Sequence, residues 1–452
     1  MGMRTVLATI PTFLITLVEA LRSRLSDKDF IARHRVRPQD FTRRYQLTFP
    51  VVVLFVLQKT VKSIQRHLHD FFDELLGDGL LEPVTAGAFT HARAKLKPSA
   101  FIELNQQIVL PMAAEQSQKQ RRWRGHRLLG QDSSLIRLPD SAELGEQFGR
   151  VVIKNNRGIT GTAYPQARIS VLYDVLNRLA LDGRLESGQI GEVSIATEQL
   201  AQAQPGDITL SDRGFTGYRF LAEHLQRGIH MIGRCSSGSF APAQEMFRIN
   251  RAGRSRVVKL FAPKDQQAEL TKLGLPLTLT ARFVSVRLPD GKLEVLVTTL
   301  LDSKAYPAKE FLQVYHWRWP HETFYFMLKS RLDLENFSGE TVEAVHQDFQ
   351  AAVLLCNLES LLTEPAAVVV QESSNGHEHP KQINRAGAYH ALKNELVALL
   401  YSDIPAEDVI CKLQRLFVQA PVSVQPERKP PRRKFSAYRS YHFQRHVKKI
   451  VF

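Results

Sequence analysis

Apolar positions change their period twice along this chain. Up to about Gln120 they recur at helical spacing, as in the stretch Val61–Leu76. A Gly/Pro turn follows, then a shorter helix that starts near Thr85, a residue able to cap it, and must end before Pro98. From Leu128 the period shortens. Leu128–Leu138, Arg168–Leu176 and Ala180–Leu185 read as strands, the last two joined by a turn at Asn177–Arg178. Glu192–Gln204 reads as a helix closed by Pro205–Gly206, Ile208–Ser211 as a short strand, Tyr218–Arg227 as a helix and His230–Gly233 as another strand. Phe240 to Leu301 alternates like strands, and Asp290-Gly291 marks a hairpin. Helices resume near Pro307 and run to about Leu362; a polar gap, a last helical piece and a basic tail from Gln425 complete the chain.

This order predicts an α/β protein: a mixed sheet carrying a β-rich insertion at about 240–301, preceded by a helical region. In chain order the expected parts are 1–120, a catalytic domain over 121–362, and 363–452. The second N-terminal helix carries His91, Arg93, Lys95 and Lys97. The stretch reads either as a helix-turn-helix whose Arg93, Lys95 and Lys97 contact DNA, or as a small bundle with a solvated basic face.

Charge sharpens the picture. The formal net charge is +15 and the sequence pI about 9.7, which suggests a polyanionic partner, because lysines and arginines on phosphates release condensed counterions. Cys235, Cys356 and Cys411 are scattered, with neither a disulfide framework nor a zinc pattern. Phe49–Leu57 is apolar but too short to span a bilayer. Pro11 and Glu19 argue for an amphipathic first helix over a signal peptide. The expected place is the cytoplasm, at the nucleoid, with no membrane and no small-molecule cofactor.

Phosphodiester cleavage without a covalent intermediate commonly uses two metal ions held by carboxylates on adjacent rigid elements. Asp132 lies inside the first strand, where an uncompensated charge is costly. Asp212 ends the strand Ile208–Ser211 ahead of a Gly turn, where α/β folds commonly place their sites. Either residue also has a plain reading: Asp132 as an edge-strand surface group, Asp212 as a turn cap or a partner of Arg213. A third segment adds Tyr315, Arg318, Glu322 and Lys329, which at about 100° per residue fall on one helix face. Pro320 should kink or restart that helix.

Tyr-(2)-Arg-(3)-Glu-(6)-Lys is the signature of the insertion-sequence-four family of transposases, and this chain resembles that family. Tyr315, Arg318, Glu322 and Lys329 match it without a gap. The order of Asp132, the Asp212-Arg-Gly-Phe turn, a long insertion and the Glu322 helix matches as well. The resemblance implies an RNase H-like core in which Asp132, Asp212 and Glu322 bind two Mg²⁺ or Mn²⁺ ions. It implies a homodimer on double-stranded DNA, with transposon terminal inverted repeats and target DNA as substrates for cut-and-paste cleavage and strand transfer. Tyr315 and Arg318 would hold the 5′-phosphate side of the non-transferred strand, Trp319 would stack there, and Lys329 would contact backbone. Relatives flip a base with an aromatic of the insertion; here no tryptophan lies between Arg213 and Phe311, so a hairpin step would need a phenylalanine or tyrosine. The competing readings are a transposon-derived DNA-binding protein without catalysis and an RNase H-like nuclease or resolvase. The tail, with Arg432, Arg433, Lys434, Tyr438 and Tyr441, is either a DNA-binding element or a solvated extension.

Overall fold

The computed structural model describes residues 10–43, 45–60, 63–76, 84–116, 120–152, 163–332, 334–374 and 378–424, with residues 76, 319, 320, 322, 330 and 331 described by backbone alone. The basic tail lies outside the described residues. The chain packs into two units. One draws on Met1–Gln118, Arg137–Pro165 and Leu328–Phe452, the other on Lys119–Ile136 and Gln166–Met327.

The second unit is built on a mixed sheet. The described strands from Leu128 to Thr298 are β1 (Leu128–Arg137), β2 (Arg150–Val151), β3 (Tyr164–Asp174), β4 (Leu179–Ser187), β5 (Ile208–Ser211), β6 (His230–Arg234), β7 (Ser255–Phe261), β8 (Thr278–Arg287) and β9 (Leu293–Thr298), of which β2 lies in the stretch Arg137–Pro165. The spatial order is β4-β3-β1-β5-β6-β9-β8-β7, with the two-residue β2 against the start of β3. β3 and β4 are antiparallel, whereas β5 is parallel to both β1 and β6. Val175 N–H donates to the Leu128 carbonyl (3.0 Å) and Leu138 N–H to the Pro165 carbonyl (3.0 Å), so β1 and β3 are antiparallel too. An antiparallel trio, β4-β3-β1, whose β1 is flanked on its other side by the parallel strands β5 and β6, is the RNase H-like arrangement expected from the resemblance. β5 is buried along its whole length, as a central parallel strand covered on both faces must be.

The insertion differs from its expected form. Residues 240–301 hold two helices, Ala241–Ile249 and Gln267–Lys272, among three strands. Those strands form no separate β unit: β9 pairs antiparallel with β6, and β8 and β7 extend the same sheet outwards. The Asp290-Gly291 turn is present between β8 and β9, with Gly291 at φ +84°. A continuous core runs under this half of the sheet, from Phe215 and Phe220 through Met231 to Phe283 and Val297. β7, on the outer edge, carries Arg256 and Lys259 and is mostly exposed, a charged edge that discourages further pairing.

The first unit is helical, and the expected division of the chain in sequence order does not hold. The helix Val342–Glu372 packs against Phe49–Leu57, Ser99–Leu104 and Ala406–Gln419, so N-terminal and C-terminal segments share one core. The reason is area. This 31-residue helix has apolar groups around much of its circumference, and no neighbour in sequence suffices to cover them. By length and composition it could cross a membrane. Here it is largely buried and keeps polar groups inside: Asn357 donates to Asn105 (2.8 Å) and Arg385 to Glu359. Phe49–Leu57 is likewise a buried helix.

Thr85 does cap the helix Ala86–Arg93, accepting from Ala88 N–H at 3.1 Å. Gln65 ties that helix to Ile64–Leu76 through Val84 and Ala86, and Phe55, Phe71 and Phe89 form a shared core beneath. The basic face is smaller than expected. Arg93 is buried, donating to Gln347 (2.6 Å), Ser338 (2.7 Å), the Ala344 carbonyl (2.7 Å) and Asp348 (2.7 Å). Four of its five N–H donors are engaged within the fold, so the DNA-contact expectation for Arg93 is corrected. Lys95 is exposed, while Lys97 is half-buried with Nζ on the Arg33 carbonyl (3.0 Å).

Candidate active site

The register of β1 and β5 pairs Gln131 with Ser211. The next residue on each strand is an aspartate, so Asp132 and Asp212 leave two adjacent parallel strands side by side. β1 continues past its aspartate; β5 ends, and the chain turns through the 3₁₀ segment Arg213–Phe215. The two strands thus position both backbones without help from loops.

Asp132 is half-buried. Ser133 N–H donates to its Oδ1 (2.8 Å), and Arg318 Nη1 lies 3.8 Å from Oδ2. Burial pushes its carboxyl up to about 6; repulsion from Asp212 and Glu192 adds to this, while the Ser133 bond and Arg318 oppose it. Asp212 accepts a hydrogen bond from the Tyr315 hydroxyl (3.3 Å) and has Arg234 Nη1 at 3.7 Å. Arg234 is mainly engaged elsewhere, on the buried Glu294, so it balances Asp212 only in part. Burial raises the Tyr315 phenol above its usual range, so that group acts as a donor.

Glu192 was not singled out by sequence reasoning. It opens the helix Glu192–Gln199 directly after β4. Its carboxylate accepts from Ser133 Oγ (3.0 Å), and Arg168 reaches both Ser133 (2.8 Å) and Glu192 (3.9 Å). It also lies over the turn after Asp212, since a side chain at Gly214 would begin 2.5 Å from Glu192 Oε1. A carboxylate at a helix start after the third main strand was the available signal.

The Tyr-Arg-Glu-Lys segment is no single helix. Phe311–His316 ends, Trp317 and Arg318 form a turn, and Trp319–Phe326 restarts with Pro320 in its first turn, where a missing N–H is harmless. A π-helical turn, Met327–Arg331, follows. Extrapolating one helical face from Tyr315 to Lys329 therefore does not hold. Tyr315 and Arg318 are brought to the aspartates, with the guanidinium 5.7 Å from the phenol ring centroid. Glu322 is on the restarted helix, four residues beyond Arg318; its side chain and that of Trp319 lie outside the described residues. Lys329 is on the π-helical turn and half-buried, and burial lowers its ammonium while Glu335 acts the other way.

Among the described residues no three His, Cys, Asp or Glu side chains form a ready-made cation cage. The donors at hand still suit one class of ion. They are carboxylate oxygens, without histidine or thiolate, which fits hard cations such as Mg²⁺ or Mn²⁺ and argues against zinc. Asp132, raised by its own burial and by two other carboxylates, is a group that a bound cation would relieve.

The fold and site together define an RNase H-like protein with an acidic centre where β1 and β5 meet. The chain belongs to the family described as transposase DDE domains, whose model matches residues 123–358. It is similar to the transposase InsG of insertion sequence element IS4 from Escherichia coli strain K12, with 26% identity over 241 residues, 52% of each chain. InsZ of the same strain is 27% identical over 187 residues, 41% of this chain and 60% of that one. The matches thus span about half the length of these relatives. A cryo-EM structure of the piggyBac transposase synaptic complex with hairpin DNA overlays with a TM-score of 0.44 at 12% identity, covering 88% of this chain and 85% of that one. At that level the likeness bears on neither the fold nor the chemistry of this chain.

Proposed function

We propose that this chain is the DNA transposase of a bacterial insertion sequence, binding terminal inverted repeats as a homodimer and catalysing divalent-metal-dependent cleavage and strand transfer. The observation that carries the reading is the pairing of Asp132 with Asp212 on adjacent strands, within the span matched by the family. Its place of action would be the cytoplasm, on nucleoid DNA.

In this reading Asp132, Asp212 and Glu322 hold two Mg²⁺ or Mn²⁺ ions, which when bound supply an activated nucleophile and charge stabilisation at the phosphate. Tyr315 orients Asp212 through its hydroxyl. Arg318, beside Asp132 in the free protein, balances that carboxylate until ions and DNA arrive. It then becomes available as a fork for phosphate. Trp319 and Lys329 would meet the strand end, and Lys95 and Lys97 would add phosphate contacts away from the centre.

The test is a time course with purified full-length protein, end-labelled DNA carrying the element's terminal repeats, and Mg²⁺. Nicked followed by joined products support transposition. Nicking that never proceeds to joining favours the nuclease reading, and binding without cleavage favours the non-catalytic one.

A further inference from the structure

The hydrogen bonds Val175 N–H to Leu128 and Leu138 N–H to Pro165 fix the register of β1 on β3. That register sets Asp132 opposite Val171, at a position where the Val171 N–H should donate to the Asp132 carbonyl. It does not do so. The Tyr325 hydroxyl is inserted between them: Val171 N–H donates to it (2.9 Å), and it donates to the Asp132 carbonyl (2.6 Å). A side-chain hydroxyl thus bridges β3 and β1 at the residue that carries the first carboxylate.

The ring that delivers this hydroxyl is fixed. Tyr325 is buried and lies 4.9 Å from His321, which stacks on Tyr173 of β3 at 5.6 Å. His321 comes so close to β1 that a side chain at Gly130 would begin 2.8 Å from its Nδ1. Two contacts therefore seat the helix Trp319–Phe326 on β1 and β3, and Glu322 lies in that helix between His321 and Tyr325.

We infer that Tyr325 is a positioning residue: its hydroxyl couples the backbone of Asp132 to the helix that carries Glu322, and so sets their spacing for metal. The inference rests on the reading that these carboxylates hold divalent ions. Groups that orient ligands typically change metal affinity by about 10–100-fold when removed.

The experiment compares wild type, Tyr325→Phe and Asp132→Asn as full chains. Mn²⁺ binding is followed by electron paramagnetic resonance, and hydrogen exchange of the peptide around Val171 by mass spectrometry. Tyr325→Phe should weaken Mn²⁺ binding about 10–100-fold and change exchange at Val171, with duplex DNA affinity kept. A folded Tyr325→Phe with wild-type Mn²⁺ affinity overturns the inference. Mn²⁺ binding by wild type that Asp132→Asn leaves untouched instead overturns the metal reading, and this inference with it. Should Tyr325→Phe fail to fold, wild type alone decides. Saturating Mn²⁺ should slow Val171 exchange at least about tenfold, and protection confined to the peptide around Asp132 overturns the coupling.

Discussion

Two charged clusters, one buried and one half-buried, behave in opposite ways. Around Asp348, Arg93 and Lys59 supply positive charge and Ser338 supplies hydrogen bonds. Burial alone would raise the Asp348 carboxyl, yet these partners outweigh it and hold it below its ordinary value. Around Asp132, burial raises the carboxyl to about 6; Asp212 and Glu192 add to this, and the Ser133 bond and Arg318, 3.8 Å away, do not offset it. The first cluster is electrostatically complete and serves the fold. In the second, burial and neighbouring carboxylates outweigh the partners, as expected of the metal site proposed above.

The sharpest way to test that contrast is to remove the deficient charges. Asp132→Asn or Asp212→Asn should slow cleavage of terminal-repeat DNA by about a thousandfold or more, roughly 4 kcal/mol of barrier or more. Retention of DNA affinity within a few-fold, measured by gel shift, separates this loss from misfolding. Cleavage persisting in either variant would remove that residue from the site.

The complete cluster should respond in stability. Arg93→Ala leaves Asp348 buried without its main partner, and such losses cost about 3–5 kcal/mol. Urea denaturation of wild type and variant gives the value directly. A loss under about 1 kcal/mol would mean that Lys59 and Ser338 suffice and that Arg93 is free for another role.

The pH dependence is smaller and its sign is definite. The folded-state value of Asp132, about 6, lies above the ordinary 3.8, so the metal-free folded chain binds that proton more tightly than the unfolded chain does. This carboxyl favours folding below about pH 4, and its contribution is lost as pH rises through about 6. At pH 7.5 the charge costs up to about 2–3 kcal/mol. Metal-free Asp132→Asn should therefore exceed wild type in stability there, with the gap closing between pH 7 and 4. Denaturation curves across that range in EDTA check it, and a gap independent of pH would contradict the raised carboxyl.

How far these features could be read in the sequence depends on the range of the interactions behind them. The strands and the two aspartates were legible because a period of two and a strand end are local patterns. The restart at Pro320 was legible for the same reason. Arg93 was misread because its partner Asp348 is 255 residues away, and a basic residue on a helix looks alike whether solvated or buried. The helix Ala241–Ile249 did leave a mark, a proline in its first turn, but alternation in the flanking strands masked it. Gln267–Lys272, at six residues, is too short for a helical period to show. Tyr325 reads as one more core aromatic, because only the register of β1 on β3 exposes what its hydroxyl does.

The smallest effect concerns the two lysines that remain of the expected basic face. Lys95 is exposed, whereas Lys97 donates to the Arg33 carbonyl. If Lys95 contacts phosphate, Lys95→Ala should lower affinity a few-fold for any duplex sequence and reduce the salt slope of log K by about 0.9. Lys97→Ala should do less to affinity, since its ammonium would have to give up a hydrogen bond to reach DNA, and it should cost some stability instead. Fluorescence anisotropy with terminal-repeat and scrambled duplexes, at several salt concentrations, measures both quantities. An unchanged slope for Lys95→Ala would leave the helix Ala86–Arg93 as a purely structural element, aligned with its buried Arg93. A loss confined to the terminal-repeat duplex would instead make Lys95 a base-reading residue, because phosphate contacts cannot discriminate sequence.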